Sequence, residues 1–243
     1  MTKKTLCILA NSVKNRQSCI AGIEVKKNQD GRWQNTERWV RPISHRANGA
    51  ISNPESFLLK PNRHPELFDI IEIPLQKEAH VTGQPEDWLI EPTANWLYLG
   101  RFHPKNSVND FIESPNDLWN QDGEKKDRVT PNWIAKHCSQ SLYFIKPERF
   151  KIYVEIRDFG HGATRRRRAS FVYKSVNYDF SFTDPVASST HLPDYETREP
   201  GLQNGVSLDC LAICVSLAPA WKGGIASQEY HYKLVAGIIE NNE

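Results

Sequence analysis

The stretch Thr5-Leu-Cys-Ile-Leu-Ala10 is continuously apolar, and Cys19-Ile-Ala-Gly-Ile-Glu-Val-Lys26 follows it after a short polar interval. Short apolar runs bounded by polar residues are typical of β-strands, so we predict two strands joined by a turn at Ser12–Gln17. Arg38–Ile43 alternates polar and apolar residues and predicts a third strand. Pro42 cannot donate a hydrogen bond to a sheet, so this third strand ends there or lies at an edge.

The same pattern continues along the chain. Further strands are predicted at Leu67–Leu75, Ser141–Ile145, Phe150–Ile156, Ala169–Tyr173, Tyr178–Phe182 and Tyr232–Ile239. Two segments stay open: Pro85–Gly100 fits a short helix or a closing strand, and Val206–Leu217 fits a buried strand or a helix. Each half shows a long strand pair, a third strand, an irregular excursion and closing strands. This order predicts a mainly β protein with two OB-like small β-barrels, irregular loops and a few short helices.

The domain boundaries follow from composition. Residues 105–132 are rich in Asn, Asp, Ser, Glu and Lys and predict a polar linker. The first barrel is therefore assigned to residues 1–104 and the second to residues 133–243. Thr130-Pro-Asn-Trp133 predicts the start of a short helix, because proline is tolerated in a first helical turn.

Composition limits the class of protein. The 243 residues carry a net charge of only +2, so no global basic field indicates a nucleic-acid partner. No apolar run approaches the ~20 residues that cross a bilayer, and the segment after Met1 lacks the features of a secretory signal. The five cysteines form no CxxC pair, which favours reduced thiols. We therefore expect a cytoplasmic protein without a membrane partner.

Motifs of common enzymes are absent from the sequence. There is no phosphate loop, no His-Glu-x-x-His and no Gly-x-Ser-x-Gly. We therefore expect a protein that is not an enzyme and that holds no metal or cofactor. One alternative is a metal-dependent nuclease, since Glu24-Val25-Lys26 supplies half of the restriction-type pattern without an acidic partner strand. A ribonuclease base at His161, beside Asp158, is weaker because a Gly-His-Gly segment holds a base poorly.

The strongest basic signal is Arg165-Arg166-Arg167-Arg168, predicted to lie in the tip between two strands of the second half. Such a block can contact phosphates, or it can be an ordinary solvated loop. Tyr173 and Tyr178 on the adjoining strands could stack on bases. Packing of these aromatic rings in the core is the alternative.

In the first half, Lys14 and Arg16 lie at the predicted turn, and Trp39 and Arg41 are two residues apart on one strand face. An exposed Trp–Arg pair suits base stacking and phosphate binding. The alternative is a core tryptophan with Arg41 in a structural ion pair. Lys233, in an otherwise apolar strand, is a further candidate contact. Its alternative is a solubilising lysine at a sheet edge.

Three segments together resemble the bacterial dual OB-containing domain family. They are Ile8-Leu-Ala-Asn-Ser12 with Cys19–Ile23 and Trp39–Ser44, Tyr178–Pro185 with its Thr-Asp-Pro turn, and the closing strand His231–Ile239. The resemblance implies two OB-like barrels, an association with nucleic acid, and a prokaryotic mobile-element or phage-conflict setting.

Our leading hypothesis joins these observations. We expect a binding protein for DNA or RNA, single-stranded nucleic acid being favoured, which serves as an adaptor for a separate protein effector such as a helicase or nuclease. The alternative from another class is a protein-interaction subunit that makes no contact with nucleic acid. The near-neutral net charge favours this alternative.

Overall fold

The computed structural model describes residues 1–14, 17–46, 49–51, 64–123, 126–158, 162–192, 203–223, 226 and 228–241. The chain divides into two compact units, Met1–Ile112 and Glu113–Glu243. The division falls inside the segment 105–132, for which the sequence predicts a linker. In the structure this segment carries short helices and contributes Leu118, Trp119 and Val129 to the core of the second unit.

The first unit is a barrel of five strands with a sixth strand attached. Its strands are β1 (Thr2–Lys14), β2 (Gln17–Lys27), β3 (Trp33–Ile43), β4 (Asp69–Glu78), β5 (Asp87–Ile90) and β6 (Leu97–Arg101). They are followed by the short helix α1 (Pro104–Ser107) and a 3-10 turn at Val108–Asp110. The order is β1-β2-β3-β5-β4, and β1 also pairs with β4, which closes the barrel. The pair β3–β5 is parallel.

One long strand makes this closure possible. The first half of β1 pairs with β4, from Thr2 to Cys7, and its second half pairs with β2, from Leu6 to Lys14. The register shifts between Ile8 and Ala10, and such a bulge bends a strand and increases its twist. The predicted turn at Ser12–Gln17 is therefore too long, because β1 continues to Lys14 and β2 begins at Gln17.

The described residues of the second unit form eight strands and two helices. In chain order these are β7 (Arg128–Val129), α2 (Pro131–His137), β8 (Leu142–Ile145), β9 (Arg149–Asp158), β10 (Ala163–Tyr173), β11 (Val176–Phe182), α3 (Pro185–His191), β12 (Gln203–Ser207), β13 (Cys210–Leu217) and β14 (His231–Glu240). A 3-10 turn at Gln121–Gly123 precedes β7. Thr130 caps α2, as the Thr-Pro signal predicts. Asp184 caps α3, where the sequence predicts only a turn.

The second unit repeats the strand order of the first. Its sheet runs β12-β9-β10-β11-β14-β13-β8, with β11 parallel to β14. β8 and β9 are consecutive in the chain, and together they take the place of β1, because β8 pairs with β13 and β9 pairs with β10. Pro147, which lacks a backbone N–H, lies in the break between them. β12 is an additional strand at the edge of β9.

The two open segments are strands. Pro85–Gly100 contains β5 and most of β6, and Val206–Leu217 contains the end of β12 and all of β13. Each unit has its own core: Leu6, Ile8, Ile73 and Trp96 belong to the first, and Phe150, Phe171, Phe180 and Val235 belong to the second. The prediction of a mainly β protein with two OB-like barrels is confirmed. No helix in the described part of the chain is long and apolar enough to cross a membrane.

Candidate nucleic-acid interface

In the first unit, the predicted Trp–Arg pair is buried rather than exposed. Trp39 and Arg41 both lie in β3 with less than a tenth of their surface accessible. The Arg41 guanidinium Nη1 donates to Asp87 Oδ1 at 2.9 Å in a buried ion pair. The alternative of a core tryptophan with a structural ion pair is therefore correct, because β5 brings Asp87 against β3. Lys14 ends β1, its side chain is not described, and Arg16 lies outside the described residues.

Glu24, the acidic residue of the nuclease alternative, is a buried ion-pair partner. Its carboxylate lies 3.4 Å from Lys4 Nζ and 4.0 Å from Lys26 Nζ. Across the described residues there is no group of three or more His, Cys, Asp or Glu side chains that could hold a metal ion. The Glu24 carboxylate therefore compensates the charges of Lys4 and Lys26. His161 lies outside the described residues.

The arginine run of the second unit is part of a strand and not of a loop tip. Arg165–Arg168 lie within β10, paired with Tyr153–Ile156 of β9. Successive side chains of a strand point to opposite sides. Arg165 and Arg167 are exposed, whereas Arg166 is half-buried and Arg168 is buried. Arg165 and Arg167 therefore lie on one side of β10, and Arg166 and Arg168 lie on the other. The prediction that the run forms a loop tip between two strands is wrong.

Arg168 is the centre of a hydrogen-bonded network. Its Nε donates to Asp179 Oδ1 at 2.6 Å, one Nη donates to Asp127 Oδ2 at 3.0 Å, and the other donates to the Asp179 carbonyl at 2.7 Å. The Tyr153 hydroxyl donates to the second Asp179 carboxylate oxygen. Burial lowers the pKa of Arg168, but the two carboxylates outweigh it and the net shift is upward. Burial and the Asp179 contact raise the pKa of Tyr153.

Arg166 is neutralised in a similar way. Its guanidinium lies 3.5 Å from Glu155 and 3.7 Å from Asp127. Glu155 also pairs with Arg157 at 3.3 Å. We call the residues Tyr153, Glu155, Arg166, Arg168 and Asp179, together with Asp127, the neutral band. Three carboxylates in this band compensate the two arginines, so these arginines are not free cations for phosphate.

The two predicted stacking tyrosines are core residues. Tyr173 and Tyr178 are buried, and their hydroxyls hold the segment that precedes β7. The Tyr173 hydroxyl donates to the Pro115 carbonyl at 2.8 Å, and the Asn120 amide donates to the Tyr178 hydroxyl at 3.0 Å. Burial raises the pKa of both hydroxyls. Neither ring is available for stacking on a base, and core packing is the correct interpretation.

Lys233 is fully buried, with 0% of its surface accessible. Its Nζ has no hydrogen-bond partner among the described residues and lies 5.6 Å from the centroid of the Phe180 ring. Burial lowers the pKa of its ammonium to about 8, and the negative charges of Asp117 and Asp127 oppose that shift. Both expectations for Lys233, a nucleic-acid contact and an edge-facing lysine, are wrong.

The register of the second sheet defines an outer face, the side turned away from the barrel core. Ile152 and Val154 of β9 belong to the core, so Lys151, Tyr153 and Glu155 lie on the outer face. Directly opposed residues of paired strands share a face. Ser170 and Arg168 of β10, Asp179 and Ser181 of β11, and Leu234 and Tyr232 of β14 therefore lie on this face. The face continues across β9, β10, β11 and β14.

At the β13–β14 end of this face lies a group of rings and a cation that we call the aromatic cluster: Arg128, Trp221, Tyr230 and Tyr232. Arg128 pairs with Tyr232 across β7–β14, and its guanidinium carbon lies 4.9 Å from the Tyr230 ring centroid. The Trp221 and Tyr232 ring centroids are 5.8 Å apart, and those of Tyr230 and Tyr232 are 6.4 Å apart. Trp221 is 61% exposed.

The aromatic cluster is not among the sites predicted from the sequence. The available signal is the spacing Tyr230-x-Tyr232 at the start of a strand, which places both rings on one face. Trp221 joins them only because the loop between β13 and β14 brings it opposite Tyr230 in an isolated bridge. Arg128 comes from a strand about 100 residues earlier in the chain, and the pairing of β7 with β14 positions it.

At the opposite end of the outer face is a second polar feature, which we call the lower groove. It is an open depression of about 210 Å³. Its polar lining residues are Arg149, Lys151, Ser170, Asn177 and Ser207, and its apolar and aromatic ones are Phe150, Phe171, Val172 and Tyr178. Arg149, Asn177 and Ser207 are exposed, and Lys151 and Ser170 are half-buried. This groove is also absent from the sites predicted from the sequence. Its signal is the alternation of charged and apolar residues in Arg149-Phe-Lys-Ile-Tyr-Val-Glu-Ile-Arg157.

The fold and this face define a protein of two OB-type barrels with a polar, aromatic-bearing outer face on the second barrel. The chain belongs to the dual OB-containing domain family, whose model matches residues 4–238. No curated protein matches the sequence. A solved structure of a murine DNA-binding protein with double-stranded DNA is 10% identical, with 99% of this chain and 100% of that chain covered. Its TM-score is 0.26, which does not show a common fold.

Proposed function

We propose that this protein binds single-stranded nucleic acid on the outer face of its second barrel. OB-type barrels bind oligonucleotides with the face of strands 2 and 3 and with the loops 1–2 and 4–5. In the second unit these elements are β10, β11, the β9–β10 connection and the β13–β14 connection. The aromatic cluster borders the last of these. The exposed Arg165 and Arg167 lie on β10 near the β9–β10 connection, on the side of the strand opposite to Arg166 and Arg168.

The observation that carries this proposal is the aromatic cluster. Proteins that bind single strands combine a cationic surface with aromatic rings on which bases stack, and one base–ring stack contributes about 1–3 kcal/mol. Trp221 presents most of its ring to solvent beside two tyrosines and an arginine. Neither the exposed Trp221 nor the half-buried Tyr230 and Tyr232 belongs to the barrel core. Single strands are favoured because only unpaired bases offer their faces to such rings.

Fluorescence anisotropy with labelled single- and double-stranded DNA and RNA tests the proposal. We expect Trp221→Ala to weaken single-strand binding about tenfold or more, because it removes one stacking platform. Trp33→Ala is the matched control, since Trp33 is a half-buried tryptophan of the first unit. Arg128→Ala should weaken binding, because Arg128 is the cation of the aromatic cluster, whereas Lys77→Ala removes the same charge elsewhere. No binding of any of the four nucleic acids at low salt would refute the proposal.

A second candidate function is a protein-interaction subunit without nucleic-acid contact. Two observations favour it: the net charge is only +2, and Arg166 and Arg168 are neutralised by carboxylates. The same binding experiment separates the two functions. If nucleic acid does not bind, we expect Trp221→Ala to affect partner binding instead, because exposed tryptophan is enriched at protein interfaces.

We further propose that the protein acts in the cytoplasm as a non-catalytic adaptor for an effector such as a helicase or nuclease, in a prokaryotic defence or mobile-element system. The support is the family membership and the binding face described above. Co-purification of a tagged protein with an effector from its native host, repeated with the tag on that effector, tests the adaptor role. Cleavage of DNA or RNA by the purified protein alone would contradict it.

A further inference from the structure

The polar side chains of the lower groove form no hydrogen bonds or ion pairs with other side chains in the described part of the protein. Within the described residues, Arg149, Ser170, Asn177 and Ser207 make no side-chain hydrogen bond or ion pair, and Lys151 makes only a distant contact to the Tyr153 ring at 5.8 Å. No carboxylate lines the groove in the described part of the chain. This differs from the neutral band, where each arginine has an acidic partner.

The chemistry of these side chains suits an anion. A guanidinium and an ammonium supply positive charge, and two hydroxyls and an amide supply further hydrogen-bond donors. The volume of about 210 Å³ is smaller than the ~300–1,000 Å³ typical of pockets for drug-sized ligands. A phosphate group with part of a sugar is an occupant of the right size and charge.

The lower groove is separated from the aromatic cluster by strands β10 and β11, which carry Arg168 and Asp179 of the neutral band. Lys151 lies on β9 and Tyr232 on β14, three strand spacings apart, which is roughly 14 Å at about 4.8 Å per spacing. The carboxylates of the band already compensate its arginines. The band therefore offers no free cation to a phosphate, so phosphate contacts concentrate at the two ends of the face.

We propose that one strand of nucleic acid spans the outer face, with bases stacked on the aromatic cluster and one phosphate held in the lower groove. The neutral band beneath the middle of the strand makes no phosphate contact. This inference rests on the proposed function, and it predicts the minimum length of strand that occupies both sites. A stacked strand advances about 3.4 Å per nucleotide, so about four nucleotides are needed to reach both sites.

A length series of oligothymidylates and oligouridylates tests the proposal. The strands have 2, 4, 6, 8, 10 and 12 nucleotides, and binding is measured at low salt. We expect affinity to rise in one step of roughly tenfold between about two and six nucleotides, when the phosphate first reaches the groove. The variant Arg149→Ala, Lys151→Ala should lose this step and bind long strands as weakly as short ones.

The matched control is Lys77→Ala, Lys136→Ala, in which two exposed lysines outside the outer face are removed. The control should keep the step. A salt series with the 12-nucleotide strand gives an independent readout: the groove variant should lower the slope of log K against log salt by about 0.7 for each phosphate that it no longer neutralises. Circular dichroism of each variant checks that the fold is intact.

The possible results are distinct. A smooth rise of affinity with length, or a step that persists in the groove variant, would overturn the bipartite site and leave the proposed function standing. Absence of binding even for the 12-nucleotide strands would overturn the proposed function itself. A step that is lost in the groove variant and kept in the control supports both.

Discussion

Among single residues, two buried cations of the second unit have opposite surroundings. Arg168 donates hydrogen bonds to Asp179 and Asp127 and is almost fully compensated. Lys233 has no hydrogen-bond partner in the described part of the chain. Burying a charge costs free energy that only paired, hydrogen-bonded neighbours offset. Arg168 therefore stabilises the fold in its present context, whereas Lys233 destabilises it.

Replacing Arg168 should destabilise the protein. Arg168→Met leaves Asp179 and Asp127 without their main partner, and we expect the free energy of unfolding to fall by about 2–4 kcal/mol, since both carboxylates are partly solvated. Urea unfolding followed by circular dichroism measures this change. Arg167→Met, at the adjacent and exposed position, should change the free energy of unfolding by less than about 0.5 kcal/mol. Equal losses of stability in the two variants would show that the network is unimportant.

Replacing Lys233 should have the opposite effect. Lys233→Met keeps the volume and removes the charge, and we expect it to stabilise the protein by about 1–3 kcal/mol at pH 7. The pKa of Lys233 is about 8 in the folded protein, compared with 10.5 for an ordinary lysine. Between these two pH values the unfolded chain binds more protons than the folded protein, so wild-type stability should rise with pH from about 8 to 10.5.

The check on Lys233 is a set of urea unfolding curves from pH 7 to 10.5 for wild type and variant. The difference in the free energy of unfolding should be largest near pH 7 and should shrink as pH rises. A variant that is less stable than wild type at pH 7 would contradict this account. Lys77→Met, at an exposed position, should show no such pH-dependent difference.

Among the strands and helices, β12 depends on one close contact of backbones. A Cβ atom at Gly205 would lie 2.1 Å from the Ile152 carbonyl oxygen and 2.3 Å from Tyr153 Cβ. Only glycine allows this approach of β12 to β9. Because Ser207 of β12 lines the lower groove, the pairing of the two strands also positions one wall of that groove.

Gly205→Ala should therefore detach β12. We expect faster amide hydrogen exchange at Gln203–Ser207 and in the outer edge of β9, with smaller changes elsewhere in the second unit. Gly31→Ala is the control: no atom lies within 4 Å of an added Cβ there, and the positive φ of 75° costs only about 1 kcal/mol. Unchanged exchange in β12 of the Gly205 variant would contradict this prediction.

For the molecule as a whole, the net charge is only +2, although cations are concentrated on one face of the second unit. The outer face of the second unit carries Arg149, Lys151 and Arg157 on β9 and Arg128 at the β14 end. The arginines of the neutral band between them are compensated by carboxylates. We therefore expect binding of nucleic acid to depend on a few cations of the second unit and not on the overall charge of +2.

The four cations of the outer face limit the salt dependence of binding. Each phosphate contact with a single strand contributes about 0.7 to the slope of log K against log salt, so four contacts give at most about 3. We expect a slope between about −1 and −3 for a 12-nucleotide strand, measured by anisotropy from roughly 50 to 300 mM salt. A slope near zero would show that the ligand is not held through its phosphates.

Most of the fold can be predicted from the sequence. Apolar runs and period-2 alternation locate nine of the fourteen described strands, and Thr130-Pro131 locates one helix start. The candidate site cannot be predicted equally well. The sequence points to Arg165–Arg168 but not to Trp221, Arg128 or the lower groove, because these come from separate segments that meet only when the barrel closes.

Local periodicity is enough to show that the chain forms strands of alternating polarity in two OB-like sets, because it decides which residues share a strand face. It does not show which face becomes covered. Barrel closure buries Arg41, Arg168 and Lys233 and leaves Arg165 and Arg167 exposed. The burial of these cations cannot be predicted from the sequence, because their ion-pair partners are distant along the chain. Asp87 lies 46 residues from Arg41, and Asp127 lies 41 residues from Arg168.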